Sequence, residues 1–241
     1  YERRPDMRKM ELYAGKSINL AISVRGLHAM EEVGLLDEVK EMCIPMRGRV
    51  IHDLDSNTQF QAYSKDGETA INSISRGALN MLLMNAADEY DNLNLHFNFR
   101  CLGMDMRGGK VALRNEHTGE KISVQGQTVI ATDGAFSGIR NSLQKTPRFN
   151  FSQAYHTHAY KELSFPAGAD NSWLVEKHAL HIWPRGGYML IALPNLDGSF
   201  TVTLFYPRKG PDSFEQLETP QAAQAFFERE FPDALALIPD F

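Results

Sequence analysis

Arg49 stands in a strand-like run, Met46-Arg-Gly-Arg-Val-Ile-His52, with apolar neighbours on its C-terminal side. A guanidinium in such a setting needs an anionic partner, and it grips a carboxylate through two parallel hydrogen bonds. The partner is either a substrate carboxylate, with Tyr63 adding a phenolic donor from the next strand, or a structural Asp such as Asp53 or Asp55. A second chemistry-bearing stretch is Thr128-Val-Ile-Ala-Thr-Asp-Gly134, followed by a helix-like 137–143. Strand, sharp turn and helix is the layout in which an α/β protein holds a nucleotide at the carboxyl ends of its strands. Gly134 permits close backbone approach, and Asp133 can bond a ribose or an ordered water beside a helix N-terminus. The same pair also fits an ordinary turn with a helix-capping Asp. Glu2 follows a presumed strand, where doubly wound folds place an acid on a ribose hydroxyl. Arg3 and Arg4 beside it reach a phosphate or form a solvated charge cluster. Arg76 opens the clearest helix and either lies across a dinucleotide or is a surface Arg.

Other chemistries find little support. His156 and His158 share a strand face, but no carboxylate or Cys cluster supplies further ligands, so no metal is expected. His181 lies in an apolar strand and reads as a core histidine. No GxSxG elbow, HExxH or GxxxxGK[ST] loop is present, which argues against common hydrolases and P-loop NTPases. A net charge of −5 and a pI near 5.9 give no footprint for nucleic acid. The longest apolar run, 188–194, is too short to span a bilayer. Cys43 and Cys101 have no CxxC spacing, so neither a disulfide nor a zinc site is expected.

The elements that must position these residues follow from periodicity. At 241 residues with 43% hydrophobic content, the chain is one large domain or two small ones. Residues 25–42 carry apolar positions at helical spacing, and 76–90 has one stripe of Leu79, Leu82, Leu83, Ala86 and Ala87. Residues 47–52, 59–63, 71–75 and 93–99 read as strands, and 104–124 as a small meander around His117-Thr-Gly119. A strand leads into Asp133. From about 150 onward the pattern is β-rich: 155–163 alternates, and 179–183 is a strand ended by Pro184. Strands at 188–193 and 200–205 flank the hairpin signal Asn195-Leu-Asp-Gly198. Residues 221–231 read as a helix. The order is α/β first, then a mostly antiparallel sheet.

Five blocks, Glu2-Arg-Arg-Pro-Asp6, Gly15-Lys-Ser-Ile-Asn-Leu-Ala21, Ile44-Pro-Met-Arg-Gly-Arg49, Ile71-Asn-Ser-Ile-Ser-Arg76 and Thr132-Asp-Gly134, fall in an order that resembles class A flavoprotein monooxygenases. Four more resemble the members of that family that hydroxylate kynurenine: Tyr160-Lys-Glu-Leu163, Leu180-His-Ile-Trp-Pro-Arg185, Ile191-Ala-Leu-Pro-Asn195 and Ser199-Phe-Thr-Val-Thr-Leu-Phe205. The resemblance runs along nearly the whole chain. It implies an α/β (α+β) fold of the para-hydroxybenzoate-hydroxylase kind, a partial FAD-binding Rossmann-like domain with an inserted, mostly antiparallel substrate sheet. Residues 1–150 would belong to the FAD-binding domain, with substrate-side strands at about 44–75, and 151–241 to the substrate domain.

The resemblance also implies FAD as bound cofactor and NADPH as co-substrate. The substrates would be L-kynurenine and O₂, and one oxygen atom would pass to the ring carbon ortho to the amine. Glu2 would bond the adenosine ribose with Arg3 and Arg4 alongside. Leu20, Ala21 and Arg76 would line the flavin, Cys101 would lie near the adenine through its backbone, and Asp133 with Gly134 would serve flavin and NADPH. Arg49 and Tyr63 match the pair that binds the amino-acid carboxylate. Ile71, Leu180, Ile191, Leu193, Thr203 and Phe205 match positions near the aromatic ring. No acid–base triad is expected, because the cofactor carries the chemistry and the protein positions the reactants. Bacterial relatives are soluble and eukaryotic ones sit on the mitochondrial outer membrane; the oligomeric state stays open.

The family's glycine-rich GxGxxG turn would precede Tyr1, and its GDAAH-type flavin motif would follow Phe241, so the chain reads as a central piece of the enzyme. By itself it is expected to bind FAD poorly, with two of the family's three flavin contacts outside it. A purified 241-residue product that stays yellow through gel filtration would overturn that expectation.

Overall fold

The computed structural model describes residues 1–10 and 19–239, so positions 15–18 of the block that resembles Gly15-Lys-Ser-Ile-Asn-Leu-Ala21 lie outside the described residues. In chain order the elements are β1 (Asn19–Ile22), α1 (Val24–Glu32), α2 (Leu36–Glu41), β2 (Ile44–Met46), β3 (Gly48–His52), β4 (Thr58–Ala62), β5 (Ile71–Ser75) and α3 (Arg76–Asp88). There follow β6 (Phe99–Asp105), β7 (Lys110–Asn115), β8 (Lys121–Gln125), α4 (Gly138–Leu143), β9 (His158–Phe165), β10 (Ala179–Arg185), β11 (Tyr188–Pro194), β12 (Phe200–Pro207), α5 (Pro220–Glu230) and α6 (Pro232–Leu235). Two compact units result. One takes the described residues of Tyr1–Leu12 and Met81–Tyr155, the other those of Tyr13–Asn80 and His156–Phe241. One change of unit falls at 155/156, and the described residues of 13–80 group with the later part of the chain, where β3 and β4 hydrogen-bond into the sheet built from residues 158–207.

In the second unit, the alternation of 179–207 produces a six-stranded sheet in the order β4-β3-β10-β11-β12-β9. Gly198, at φ +88°, takes the left-handed turn position that joins β11 to β12. All pairings are antiparallel except β3 with β10, which run parallel with Arg49 opposite Leu180 and Val50 opposite His181. Period-two alternation then divides the sheet. Trp183, Leu190, Ala192, Phe165, Phe200, Val202, Leu204 and Tyr206 form one buried face, packed by Phe226 and Phe227 of α5, Phe231, and Ala234 of α6. Thr219 caps α5 by accepting from the Ala222 amide, and Pro220 stands at its first turn, where a missing N–H costs nothing. A three-stranded sheet, β1-β5-β2, completes the unit with β1 on its edge.

In the first unit, β6, β7 and β8 form the expected meander, with Val111, Leu113 and Ile139 at its core. Helix α4 lies so close to β6 that a Cβ on Gly138 would stand 2.7 Å from the Cys101 carbonyl oxygen. Ser137 caps α4 by accepting from the Arg140 amide, and Asp133 reinforces it by accepting from Ser137 and the amides of Gly138 and Ile139.

Several elements differ from the periodicity. The helical stretch 25–42 is broken at Gly34 (φ +72°), where Gly34 N–H donates to Glu31 and Leu35 N–H to Met30, a Schellman C-cap. Residues 93–98 are not a strand, since Asn98 at φ +65° ends any extended run; Glu2 and Asn98 amides instead donate to His96 and Arg4 carbonyls. The run into Asp133 is also not a strand: among the described residues no neighbour forms a ladder with it, and Ile130 is 85% exposed. Pro184 does not end β10. The β3 ladder stops at Ile182, so the missing N–H of Pro184 faces no partner on that side. Among the described residues, no helix is long and apolar enough to cross a membrane.

The capping role of Asp133 has a pH signature. Burial by itself would raise its pKa, but the hydrogen bonds from Ser137, Ile139 and Gly138 outweigh it and hold the carboxyl below its ordinary 3.8. A lowered folded-state pKa contributes stability that is present above the unfolded value and lost as pH falls through the folded one. Asp133→Ala should therefore cost about 1 kcal/mol at neutral pH. By chemical denaturation, the gap to the parent should close on acidification below 3.8; a constant gap would contradict the cap.

Candidate functional site

The face of the six-stranded sheet opposite α5 and α6 gathers most of the residues marked as substrate-binding. The register sets Leu180 beside Arg49, Ile191 beside Thr203 and Met189 beside Phe205, and Leu193 lies two residues beyond Ile191 on the same side. Thus Arg49, Leu180, Ile191, Leu193, Thr203 and Phe205 share one face, with Ile51 and Ile182 between them. Leu193 and Thr203 are buried, Leu180, Ile191 and Phe205 half-buried, and Arg49 exposed at the β3 end. Ile71 is placed elsewhere: it pairs with Met46 in the three-stranded sheet of the same unit.

The open question about Arg49 is answered by its contacts. Its Nε donates to Gln61 Oε1 at 3.0 Å, and among the described residues no carboxylate lies within ion-pair distance. Asp53 is engaged locally, accepting from the amides of Asp55 and Asn57 and from the Asn57 side chain. Among the described residues Arg49 is therefore not part of a structural Arg–Asp pair, and its side-chain bond to Gln61 leaves from Nε. Tyr63 follows β4, its amide donating to the Arg47 carbonyl at 3.1 Å. Its phenol is raised by burial and pulled back by the charge of Arg49, which places the two groups in one electrostatic neighbourhood. Glu162 is the acidic residue on this face, beside Thr203, but four strand spacings separate β9 from β3, roughly 19 Å. At that distance it does not neutralise Arg49.

The residues marked for the cofactor fall in both units. In the first, the Phe99 amide at the start of β6 donates to the Glu2 carbonyl at 2.9 Å, so Glu2 runs alongside the strand that carries Cys101. One Glu2 carboxylate oxygen accepts from the Arg4 amide at 2.8 Å; Glu2, Arg3 and Arg4 are all exposed. The Cys101 thiol is raised by burial and by the nearby Asp133 carboxylate. Gly134 adopts φ +80°, which side chains rarely take. Asp133 is committed to the α4 cap, the alternative that the residues left open. This set (acid, exposed guanidines, glycine turn and backbone platform) fits the polar half of a dinucleotide. In the second unit, Leu20 and Ala21 lie exposed on edge strand β1, and Arg76 is exposed at the start of α3.

Two groups went unmarked in the sequence. Arg140 donates to the carbonyls of Gly134 and Ala135 and stacks on Phe151 at 4.8 Å, fixing the glycine turn. His52 has the core parity of β3, beside Val50, and a polar residue at a core position was the available signal. His156 and His158 have ring centroids 5.6 Å apart, and no metal-binding group of three or more His, Cys, Asp or Glu occurs among the described residues. His181 is buried and hydrogen-bonded, as a core histidine should be.

Comparison with known proteins identifies the family. The chain is 50% identical to kynurenine 3-monooxygenase of Myxococcus xanthus (strain DK1622) over 99% of its length and 52% of that protein. It is 41% identical to kynurenine 3-monooxygenase of Dictyostelium discoideum over 99% of its length and 51% of that protein. The chain thus spans about half the length of the curated relatives it matches. Its fold is that of the tetrameric form of 2-methyl-3-hydroxypyridine-5-carboxylic acid oxygenase (TM-score 0.69, 18% identity, 98% of this chain and 58% of that one). It is likewise that of pqsL, a probable FAD-dependent monooxygenase from Pseudomonas aeruginosa (TM-score 0.67, 16% identity, 98% and 62%). Residues 12–231 match the FAD binding domain family, and the chain belongs to that family.

Proposed function

We propose that this chain is part of an FAD- and NADPH-dependent hydroxylase that converts L-kynurenine to 3-hydroxykynurenine. The observation that carries the reading is the guanidinium of Arg49, without a protein carboxylate, at one end of a largely apolar sheet face. Kynurenine is an amino acid with an aromatic ketone, and this face offers a matching order of chemistry. The fork of Arg49 with the Tyr63 phenol receives the carboxylate. The side chains of Leu180, Ile191, Leu193, Thr203 and Phe205 lie against the ring and exclude water around it.

Bound FAD supplies the redox and oxygen-activating chemistry, with NADPH as reductant. Glu2, Arg3, Arg4, the Cys101 backbone and the Asp133-Gly134 turn are the residues that hold its polar half. Leu20, Ala21 and Arg76 line its ring system. The chain's own contribution is orientation: a carboxylate anchored at Arg49 fixes which ring carbon is presented for oxygen insertion. For localisation, this reading takes the bacterial, cytoplasmic form.

The test is substrate-dependent NADPH oxidation by the complete enzyme, screened over kynurenine and other aromatic acids. Kynurenine should be preferred and 3-hydroxykynurenine should accumulate; preference for another aromatic acid would replace the assignment. Arg49→Ala should raise KM by roughly 10- to 100-fold, the equivalent of a charge-assisted hydrogen bond of about 1.5–3 kcal/mol, with a smaller loss of kcat. An unchanged KM would remove Arg49 from the site.

A further inference from the structure

Behind the sheet face that carries Arg49 lies a buried polar chain that the hydroxylation reading does not use. Asp233 of α6 meets His52 of β3 (Oδ2 to Nδ1, 2.9 Å), and His52 meets His181 of β10 (Nε2 to Nδ1, 3.0 Å). His181 Nε2 in turn lies 2.8 Å from the Glu176 carbonyl. Trp183 Nε1–H donates to the same Asp233 oxygen at 2.8 Å, and its ring stacks on His52 with centroids 3.9 Å apart. His52 and His181 are 4% and 2% exposed.

A carbonyl only accepts, so His181 Nε2 carries a hydrogen. Burial pushes His181 down to about 4, so its ring is neutral and its Nδ1 accepts from His52 Nε2. Burial would raise the Asp233 carboxyl, but the hydrogen bonds from His52 and Trp183 outweigh this and hold it below its ordinary value. The Trp183 ring stacked on His52 closes the chain from its flat side.

We propose that His52 is a positioning residue, held between Asp233 and His181, that fixes the register of β3 against β10 and so presents Arg49 to the substrate. The proposal rests on the kynurenine reading for the word substrate, but not for the hydrogen-bonded chain itself. The β3–β10 pairing is the parallel one in the sheet and joins segments far apart in sequence. Such a ladder is slightly weaker per residue than an antiparallel one, and a slip by one residue would turn Arg49 into the helix-covered core. The clasp crosses this seam directly through the His52–His181 bond. Around it stand Arg185, which donates to the His52 and Asp53 carbonyls from β10 and to the Glu230 carbonyl at the end of α5, and the backbone of Glu176. Asp233 Oδ2 meets both His52 Nδ1 and Trp183 Nε1, so one carboxylate oxygen ties the two rings together.

Two measurements on the complete flavin-loaded enzyme test this. In the unaltered protein labelled with ¹⁵N-histidine, a coupling across the hydrogen bond should join a His52 ring nitrogen to a His181 ring nitrogen. Its absence would overturn the proposal, whatever the substrate turns out to be. Asp233→Asn keeps the side-chain size but removes the charge. It should raise KM for kynurenine on the order of 10-fold, with kcat nearly unchanged and the affinity for the decarboxylated amine analogue unaltered. Equal losses for both compounds, or none, would reduce the clasp to a core contact and overturn its positioning role. If Asp233→Asn fails to fold, the labelled-histidine result decides. If the unaltered enzyme does not turn over kynurenine at all, the functional reading falls while the hydrogen-bonded chain is still judged by its own measurement.

Discussion

The arrangement of the second unit depends on one parallel strand pairing. Strand β3 lies beside β10 in a register that sets Arg49 opposite Leu180 and Val50 opposite His181. Because side chains alternate with period two, that register decides which residues meet the aromatic core and which line the opposite face. The antiparallel strands β10, β11 and β12 carry their own register through consecutive hairpins, one of them at Gly198. β3 is joined by a turn to β4 but has none to β10. It is held by side chains that cross the seam: His52 to His181, and Arg185 to the carbonyls of His52 and Asp53. A buried guanidinium satisfied by carbonyls and stacked on Phe231 at 5.0 Å is a rigid strut, and it also caps the C-terminal end of α5 at Glu230.

From this follows the chemical asymmetry of the sheet. The helix-covered face concentrates rings, with Phe226 and Tyr206 centroids 4.8 Å apart and Tyr188 edge-on to Tyr206 at 4.7 Å. The other face is largely apolar, with the Arg49 guanidinium at its β3 end. Under the proposed function, such a face does the selecting: it would read a carboxylate at one point and a flat apolar body beside it. The first unit carries a different kind of rigidity. There the glycine turn at 134 is held from both sides, by the Asp133 cap and by Arg140 on its carbonyls.

Much of this was legible in the sequence, for identifiable reasons. Alternation and the Asn195–Gly198 turn signal made the β11–β12 hairpin readable, and with it the shared side of Ile191, Leu193, Thr203 and Phe205. Strand β5 and helix α3 likewise lie where their patterns put them. Strands at 93–98 and 128–132 were misread because alternation shows a residue's preference for extension but not whether a neighbouring ladder exists. The break at Gly34 was hidden by apolar spacing that continues in phase across it. Whether Arg49 met Asp53, Asp55 or a ligand was not decidable from order alone, since that depends on where Asp53 spends its oxygens. His52 was missed because its partners, His181 and Asp233, lie more than a hundred residues away.

The account's central claim is that the open sheet face receives an aromatic amino acid with its carboxylate at Arg49. A crystal structure of the complete, flavin-loaded enzyme with L-kynurenine tests it most directly. The account predicts the carboxylate within hydrogen-bond distance of the Arg49 guanidinium and the ring against Ile191, Thr203 and Phe205. A ligand bound in the opposite orientation, or away from this face, would contradict it.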